Sequence, residues 1–304
     1  MIRIFGTGLA ALLGLAFGSF LNVCLSRWPE GESVVKPRSH CRNCGRTLAW
    51  WENIPLASWL ALRGRCRTCN AKISWRYPLV EVSIGALWAV AASRSISTVA
   101  SGQIPLSGFW EEIVIALCLM LFVWVAVALA FLDAEHLWLP DWLTLSAIVL
   151  GIAFRISVAA MGHYVPTCRD CEYTRLGCWD CVSPARAAVT SLLSAGVSAA
   201  LILLIRWTYW LIRRREGIGL GDAKLMAMLG AWVGLSGALL SFAIGVFLGA
   251  IFALILLAVP AGRRGSETWS AARLPLGTFL CIGGIISALW GDPIIAGYLH
   301  WAGF

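Results

Sequence analysis

Long apolar stretches alternate with short polar breaks along the whole chain. Most of the stretches are about as long as a helix that crosses a bilayer, roughly 20 residues. They fall at about residues 4–23, 78–100, 112–132, 142–161, 187–212, 225–235, 238–259 and 275–301. The pattern predicts an all-α polytopic membrane protein with about eight transmembrane helices.

Composition supports this class, because 59% of the 304 residues are hydrophobic and only 13% are charged. Soluble domains average about 25% charged residues. The net charge of +8 comes from Lys and Arg in the polar breaks, chiefly residues 24–77, 213–224 and 263–273. The positive-inside rule accounts for that distribution, so we expect membrane lipid and no nucleic acid as a partner. With eight spans these breaks share the cytoplasmic side, and both termini lie on the other side.

Two polar breaks carry an aspartate at the edge of an apolar stretch, on the same predicted side of the membrane. Asp133 follows the third stretch and Asp141 precedes the fourth, while Asp222 follows Gly219 and Gly221 just before the sixth. A carboxylate beside hydrocarbon is costly, so an ionisable residue there indicates a functional site. Each break alone also fits an ordinary loop whose aspartate caps the next helix.

Taken together, Asp133 and Asp222 fit an aspartic protease, since they lie at one membrane–water boundary on different helices. One ionised carboxylate can activate water while its protonated partner polarises the scissile carbonyl. Two close carboxyls share protons in this way because both cannot easily ionise together. We therefore take these two residues as the candidate catalytic pair.

Eight of the eleven cysteines lie in four Cys-x-x-Cys pairs. The pairs Cys41/Cys44 and Cys66/Cys69 are separated by 21 residues, a spacing typical of a structural zinc site with four thiolate ligands. Thiols stay reduced in the cytoplasm, and a metal stabilises a segment that is too small for a large core. Two disulfides or free thiols are the alternative.

The other two pairs, Cys168/Cys171 and Cys178/Cys181, lie in the loop between the fourth and fifth stretches. The predicted topology places this loop outside the cytoplasm, where an oxidising compartment favours disulfides. The gap of six residues between the pairs also allows a second metal site. Neither alternative assigns a function to the loop.

The order of these motifs resembles the type 4 prepilin leader peptidases, intramembrane aspartic proteases of the GxGD kind. Asp133 with Leu139-Pro140-Asp141, and the run from Gly219 to Lys224, are similar to the two aspartate motifs of that family. Ala223 departs from the pattern, because the family usually has Phe there. Other motifs match in the same order, namely Gly18–Val23, Asn53–Pro55, Ser58–Leu60, Ile73–Ser74, Tyr77–Pro78, Glu81 and Pro275–Leu280.

The resemblance implies an endopeptidase that removes the basic leader from type IV prepilins and pseudopilins, the subunits of type IV pili and type II secretion systems. It implies a multi-pass protein of the bacterial inner membrane with its active site at the cytoplasmic face. Asp133 and Asp222 would be catalytic, and the four cysteines from Cys41 to Cys69 would hold zinc. The residues in supporting roles would be Asp141, Lys224, Gly219 and Gly221.

Many members of this family also methylate the new N-terminal amine with S-adenosylmethionine, and the resemblance implies the same activity here. The chain contains no Rossmann-type fingerprint for that cofactor, so we place the activity in residues 18–77. We accordingly divide the chain into a first transmembrane helix (1–23), a cytoplasmic zinc-type segment (24–77) and a transmembrane aspartic peptidase core (78–304). The second cysteine loop (162–186) belongs to the core.

Three other functions are compatible with parts of the pattern. The nearest is a peptidase without methyltransferase activity. An ion-coupled transporter would need acidic residues in mid-span, whereas the interiors of the apolar stretches are nearly free of charge. A non-catalytic membrane scaffold would require Asp133 and Asp222 to lie far apart in space.

Overall fold

The computed structural model describes residues 2–100, 109–161, 183–215, 219–258 and 275–303. These residues form helices, with a mostly non-helical segment (28–75) after the first of them, two isolated bridges and no β-strand among the described residues. The helices are α1 (Ile2–Arg27), α2 (Ala57–Ala61), α3 (Arg76–Ala100), α4 (Phe109–His136), α5 (Asp141–Ala160), α6 (Pro184–Arg213), α7 (Leu220–Ala258) and α8 (Leu276–Trp301).

Seven helices in the described part of the chain, all except α2, are long and apolar enough to cross a membrane. The prediction of an all-α multi-pass membrane protein is therefore confirmed. The chain divides into two compact units, Met1–Ala128 and Leu129–Phe304. The helix α4 begins in the first unit and ends in the second.

In the first unit, α1 and α3 pack closely through glycines. A Cβ on Gly14 would lie 2.8 Å from the Cα of Gly85, and a Cβ on Gly18 would lie 2.7 Å from the Cα of Glu81. Partner numbers fall along α3 as they rise along α1, so the two helices are antiparallel. Small residues permit such close backbone approach, which stabilises helix pairs in lipid through dispersion contacts.

In the second unit, α7 reverses direction at Gly234, which has a φ of 72° and a non-helical ψ of −179°. The arm after this residue packs antiparallel to α8, because Gly237 accepts a hydrogen bond from Ser287 whereas Gly249, further along, lies near Phe279. The arm before Gly234 starts beside the N-terminal end of α8, where Gly221 and Gly277 both contact Leu139. The two arms correspond to the predicted sixth and seventh stretches.

The first arm of α7 is held between α5 and α6. Ser191 of α6 donates a hydrogen bond to the carbonyl of Ala231 at 3.0 Å, and the indole of Trp232 donates to the carbonyl of Ala147 in α5 at 2.8 Å. These buried hydrogen bonds satisfy polar groups that would be costly in an apolar interior. They fix the direction in which α7 starts, and so the position of Asp222 in its first turn.

Candidate active site and cysteine cluster

Asp133 lies near the end of α4 and is only 6% exposed. Its Oδ2 accepts hydrogen bonds from the backbone N–H of Thr278 at 2.7 Å and from the hydroxyl of the same residue at 3.1 Å. Thr278 is the third residue of α8, and the first N–H groups of a helix have no acceptor within it. Asp133 therefore caps α8 from another helix. A Cβ on Gly277 would lie 2.9 Å from Oδ2, so any side chain there would push the carboxylate out of its present position.

Asp222 is the third residue of α7 and is half-buried. Its Oδ2 accepts a hydrogen bond from the backbone N–H of Gly219 at 3.2 Å. Side chains at this position often satisfy the N–H just before the helix, as in a capping box. The Gly-x-Gly-Asp motif therefore starts the helix and orients the acid.

The two aspartates are brought together around Leu139. A Cβ on Gly221, next to Asp222, would lie 3.1 Å from Leu139 Cδ1, and a Cβ on Gly277 would lie 3.2 Å from the same atom. The carboxyls of Asp133 and Asp222 interact electrostatically. The scaffold alternative required these acids to be far apart, so this arrangement counts against it.

Asp141 does not cap α5, although the sequence allowed that role. Pro140 occupies the N-cap position and no side chain caps the helix, while Asp141 is its first residue. Its Oδ1 instead accepts a hydrogen bond from Lys224 Nζ at 2.6 Å. This ion pair joins the start of α5 to the start of α7, where Lys224 lies two residues after Asp222.

Thr278 is the residue of this site to which the sequence assigned no role. The motif Pro275–Leu280, at the start of α8, matched the family, but the sequence did not indicate which residue this motif contacts. A hydroxyl residue in the first turn of a helix could have suggested a contact to an acid. Only the packing of α8 against the end of α4 identifies Asp133 as that acid.

The four cysteines between Cys41 and Cys69 are held by two tight turns of the same construction. In each turn the N–H of the first cysteine donates to the carbonyl five residues later, and the N–H four residues later donates back to the first cysteine. The residue after the second cysteine has a positive φ in both turns, 69° at Gly45 and 55° at Asn70. Glycine and asparagine tolerate this conformation best.

The sulfur atoms of Cys41, Cys44, Cys66 and Cys69 all lie within 4.8 Å of one another. All four are free thiols. The distance from Cys41 Sγ to Cys69 Sγ is 3.8 Å. A tetrahedral zinc ion with Zn–S bonds of about 2.3 Å needs sulfurs about 3.8 Å apart, so the cluster fits a metal of that size and donor preference.

Backbone hydrogen bonds prepare two of the thiols for metal binding. The N–H groups of Cys69 and Thr68 lower the pKa of the Cys66 thiol to about 6, and the N–H of Ala71 lowers the pKa of Cys69. The thiolate is the form that binds a metal. The second turn therefore favours the thiolate at both of its cysteines. In the first turn, the hydrogen bond from the backbone of Arg46 lowers the pKa of Cys44, but desolvation and hydrogen bonds from the other cysteines outweigh it and raise this pKa to about 11.

An ion pair braces the chain between the two turns. Arg46 Nη2 lies 2.7 Å from Glu52 Oε1, and Glu52 Oε2 accepts the N–H of Ala49 at 2.7 Å. Glu52 is buried, with 7% of its surface exposed. The hydrogen bond from Arg46 lowers the pKa of this carboxyl below its usual range. The second set of cysteines, Cys168, Cys171, Cys178 and Cys181, lies outside the described residues, so their disulfides or metal site stay a prediction.

Comparisons with known proteins match both units. A family model described as the bacterial peptidase A24 N-terminal domain matches residues 12–95, and the type IV leader peptidase family model matches residues 120–254. Proteins named "Prepilin leader peptidase/N-methyltransferase" are 37% identical in Aeromonas hydrophila, 34% in Pseudomonas aeruginosa and 32% in Stutzerimonas stutzeri. Each alignment covers 96% of this chain and 93% of the relative.

No solved structure matches the chain. The two family models together cover more than half of it, and the curated relatives align along nearly its full length. The chain belongs to the type IV leader peptidase family.

Proposed function

We propose that the protein is a membrane aspartic endopeptidase that removes the basic leader from type IV prepilins and pseudopilins. The observation that carries this proposal is the meeting of Asp133 and Asp222 around Leu139, in a chain whose relatives are named prepilin leader peptidases. The enzyme lies in the bacterial inner membrane and acts at its cytoplasmic face. The substrate's apolar helix enters among the spans, while its basic leader stays on the cytoplasmic side.

The pair works by general acid–base chemistry. One ionised aspartate takes a proton from water, whose oxygen adds to the scissile carbonyl carbon, and the protonated aspartate donates to the carbonyl oxygen. The tetrahedral intermediate then collapses as the leaving amine receives a proton. A shared proton on two close carboxyls supplies both roles at once.

The supporting residues keep the pair in place. Gly219 gives its N–H to Asp222, and Gly221 leaves room for Leu139. The ion pair between Asp141 and Lys224 ties α5 to α7 beside the acid. We give these four residues positioning roles, because their contacts run to the helices that carry the aspartates.

The cysteine cluster holds a structural Zn²⁺ through the sulfurs of Cys41, Cys44, Cys66 and Cys69. Four thiolates fill a tetrahedral shell and leave no open position for chemistry. The same region, residues 18–77, carries the N-methylation of the new N-terminus. The names of the relatives include that activity, and S-adenosylmethionine supplies the methyl group when bound.

The decisive experiment compares purified wild type with Asp133→Asn and Asp222→Asn in detergent, on a prepilin substrate. Each substitution should lower the cleavage rate by about a thousandfold or more, because an amide cannot exchange the proton. Asp292→Asn is the matched control, since Asp292 is exposed on α8. Circular dichroism and size-exclusion chromatography check folding.

The outcomes separate the two activities. Methyl transfer to an already processed pilin should survive in both aspartate variants, whereas a chain without methyltransferase activity transfers nothing even as the wild type. If either aspartate variant cleaves at the rate of the wild type, this pair is not catalytic. The hypotheses of an ion-coupled transporter and of a non-catalytic scaffold then have to be considered again.

A further inference from the structure

The carboxyls of Asp133 and Asp222 have different surroundings. Oδ2 of Asp133 accepts the N–H of Thr278 at 2.7 Å and its hydroxyl at 3.1 Å, and the N–H of Gly277 also acts on this carboxyl. Asp222 accepts one N–H, that of Gly219, at the longer distance of 3.2 Å. Asp222 lies in the first turn of α7, and Asp133 contacts the first turn of α8, so each carboxyl faces a helix N-terminus. The two carboxyls differ in how many hydrogen-bond donors they accept and in how close these donors lie.

Donors that point at a carboxylate favour its ionised form, and the helix N-terminus adds a partial positive charge. Asp133 belongs to α4 and approaches α8 from outside, so its carboxyl meets the N–H groups of two consecutive residues, Gly277 and Thr278, at the N-terminal end of that helix. Both hydrogen bonds from Thr278 go to Oδ2 and not to Oδ1. Oδ2 is therefore committed to the first turn of α8, through two hydrogen bonds from one residue.

The hydroxyl of Thr278 also ties this arrangement to α4. Its Oγ1 lies 3.0 Å from the carbonyl oxygen of Ala130, one turn before Asp133, as well as 3.1 Å from Oδ2. The single proton can be given to either acceptor, and both belong to the helix that carries the acid. Thr278 therefore fixes the start of α8 against α4.

We propose that Thr278 is a positioning residue that holds Asp133 as the ionised base, while Asp222 carries the proton of the pair. This assignment rests on the proposed peptidase function and gives each acid its own role. Oδ1 of Asp133 takes a proton from water, and the hydroxide oxygen forms a bond to the scissile carbon. The proton on Asp222 goes to the carbonyl oxygen, which yields a tetrahedral diol.

The second half of the reaction restores both groups. As the bond between carbon and nitrogen breaks, the proton on Asp133 passes to the leaving amine, and a hydroxyl of the diol returns a proton to Asp222. One water is consumed, no oxidant or reductant takes part, and the acids end in the states in which they began.

Other titratable groups surround this pair, and none of them replaces the donors from α8. Cys281 lies one turn after Thr278, is fully buried and interacts with both carboxyls. Lys224 is paired with Asp141. Glu135 and His136 follow Asp133 on α4, and both are exposed.

The test is the pH dependence of prepilin cleavage by the full-length protein carrying Thr278→Val. Valine removes the hydroxyl and keeps both the backbone N–H and the branched shape. We expect kcat at neutral pH to fall about tenfold, the size of one hydrogen bond to a charged group, with KM nearly unchanged. The acidic limb of the pH profile should move to higher pH, because ionised Asp133 has lost a donor. Thr278→Ser should restore both.

Thr144→Val is the matched control. Thr144 is a buried threonine in the first turn of α5, and among the described residues its hydroxyl donates to the backbone carbonyls of Pro140 and Asp141 and to no carboxylate. It should leave the acidic limb where it is. Where the valine variant at Thr278 does not fold, Thr278→Ala removes the same hydroxyl and carries the same prediction.

An acidic limb that stays in place when the Thr278 hydroxyl is removed overturns the role assignment, whatever happens to kcat. That result leaves the peptidase proposal intact as long as Asp133→Asn and Asp222→Asn are inactive. Full activity in either of those two variants overturns the peptidase proposal itself, so the two failures are distinguishable.

Discussion

The cysteine cluster and the aspartate pair are both built from two short motifs that are distant in sequence, but they are held in different ways. Each cysteine turn closes on itself, with backbone hydrogen bonds that span four or five residues. The aspartate site also uses long-range contacts, 145 residues apart for Asp133 and Thr278 and 83 for Asp141 and Lys224, although Asp222 itself accepts the N–H of Gly219, three residues before it. The geometry of the cysteine site therefore depends on local turns, whereas that of the aspartate site depends on helix packing through a whole unit.

The largest effect is expected from removal of one cysteine ligand. Cys66→Ser should lower bound zinc from about one ion per chain to near zero, since zinc supplies about 10–16 kcal/mol in small four-ligand sites. Residues 24–77 should become sensitive to protease, and methyl transfer should fall. Mass spectrometry of metal content and limited proteolysis measure these changes.

Cys118→Ser is the control for the loss of a thiol, because Cys118 is a free, half-buried cysteine on α4. It should keep the full metal content. A Cys66→Ser protein that binds as much zinc as the wild type would show that these four sulfurs are not the ligands.

The opposite experiment disturbs only the helix packing of the aspartate unit. A Cβ on Gly283 would clash with the carbonyl oxygen of Ser241 and lie 3.1 Å from its Cα, and both are backbone atoms. Gly283→Ala should therefore cost about 1–3 kcal/mol of stability as an overpacked helix contact, and should lower cleavage while zinc content stays unchanged. Thermal unfolding measures the stability, a prepilin cleavage assay measures the activity, and mass spectrometry measures the zinc content.

Gly297→Ala is its matched control on the same helix, because nothing lies within 4 Å of a Cβ there. It should be neutral or slightly stabilising, since alanine favours helices over glycine. Equal stability of the two variants would contradict the close packing of α7 on α8.

The difference between the two sites explains what the sequence could predict. The spacing of the cysteine pairs is a local signal, so the sequence could predict that these four cysteines lie together. Zinc as the ion that they bind stays a prediction. The apolar stretches likewise predicted the spanning helices, and the short break after residue 235 lies one residue from the reversal at Gly234. Local signals were enough wherever the partners are close in sequence.

The sequence could not identify side-chain contacts between residues that are far apart in the chain. Both aspartates could be proposed because each interrupts an apolar stretch, yet nothing near Asp133 points to Thr278. The pairing of Asp141 with Lys224 was equally hidden, and the N-cap role allowed for Asp141 is wrong because that position belongs to Pro140. Which side chains meet depends on how the helices cross, and that is decided by packing along their whole length.

A smaller, pH-dependent effect is expected in the brace between the cysteine turns. The pKa of Glu52 is lowered in the folded state by Arg46, and its unfolded value is about 4.3. A lowered pKa contributes stability that is present above about pH 4.3 and is lost as the pH falls through the folded value. Glu52→Gln should therefore speed hydrogen exchange of residues 46–52 severalfold at pH 7, with a difference from wild type that shrinks at more acidic pH.

Glu30→Gln is the control, since its pairing with Arg42 spans 3.9 Å between side chains that are more than half exposed. It should change exchange little at any pH. A difference between Glu52→Gln and wild type that persists unchanged in acid would show that the Glu52 charge is not its source.

The smallest effect is expected from the ion pair of Asp141 and Lys224, although it joins two helices of the aspartate site. The side chains are 60% and 37% exposed, and exposed pairs contribute about 0–1 kcal/mol. Asp141→Asn or Lys224→Met should lower cleavage by about fivefold at most, with less effect at high salt because screening already weakens the pair. The double exchange Asp141→Lys with Lys224→Asp should recover part of the loss. If Asp141→Asn alone abolishes cleavage in a folded protein, Asp141 takes part in the reaction itself, and the separation between a buried catalytic pair and an exposed brace does not hold.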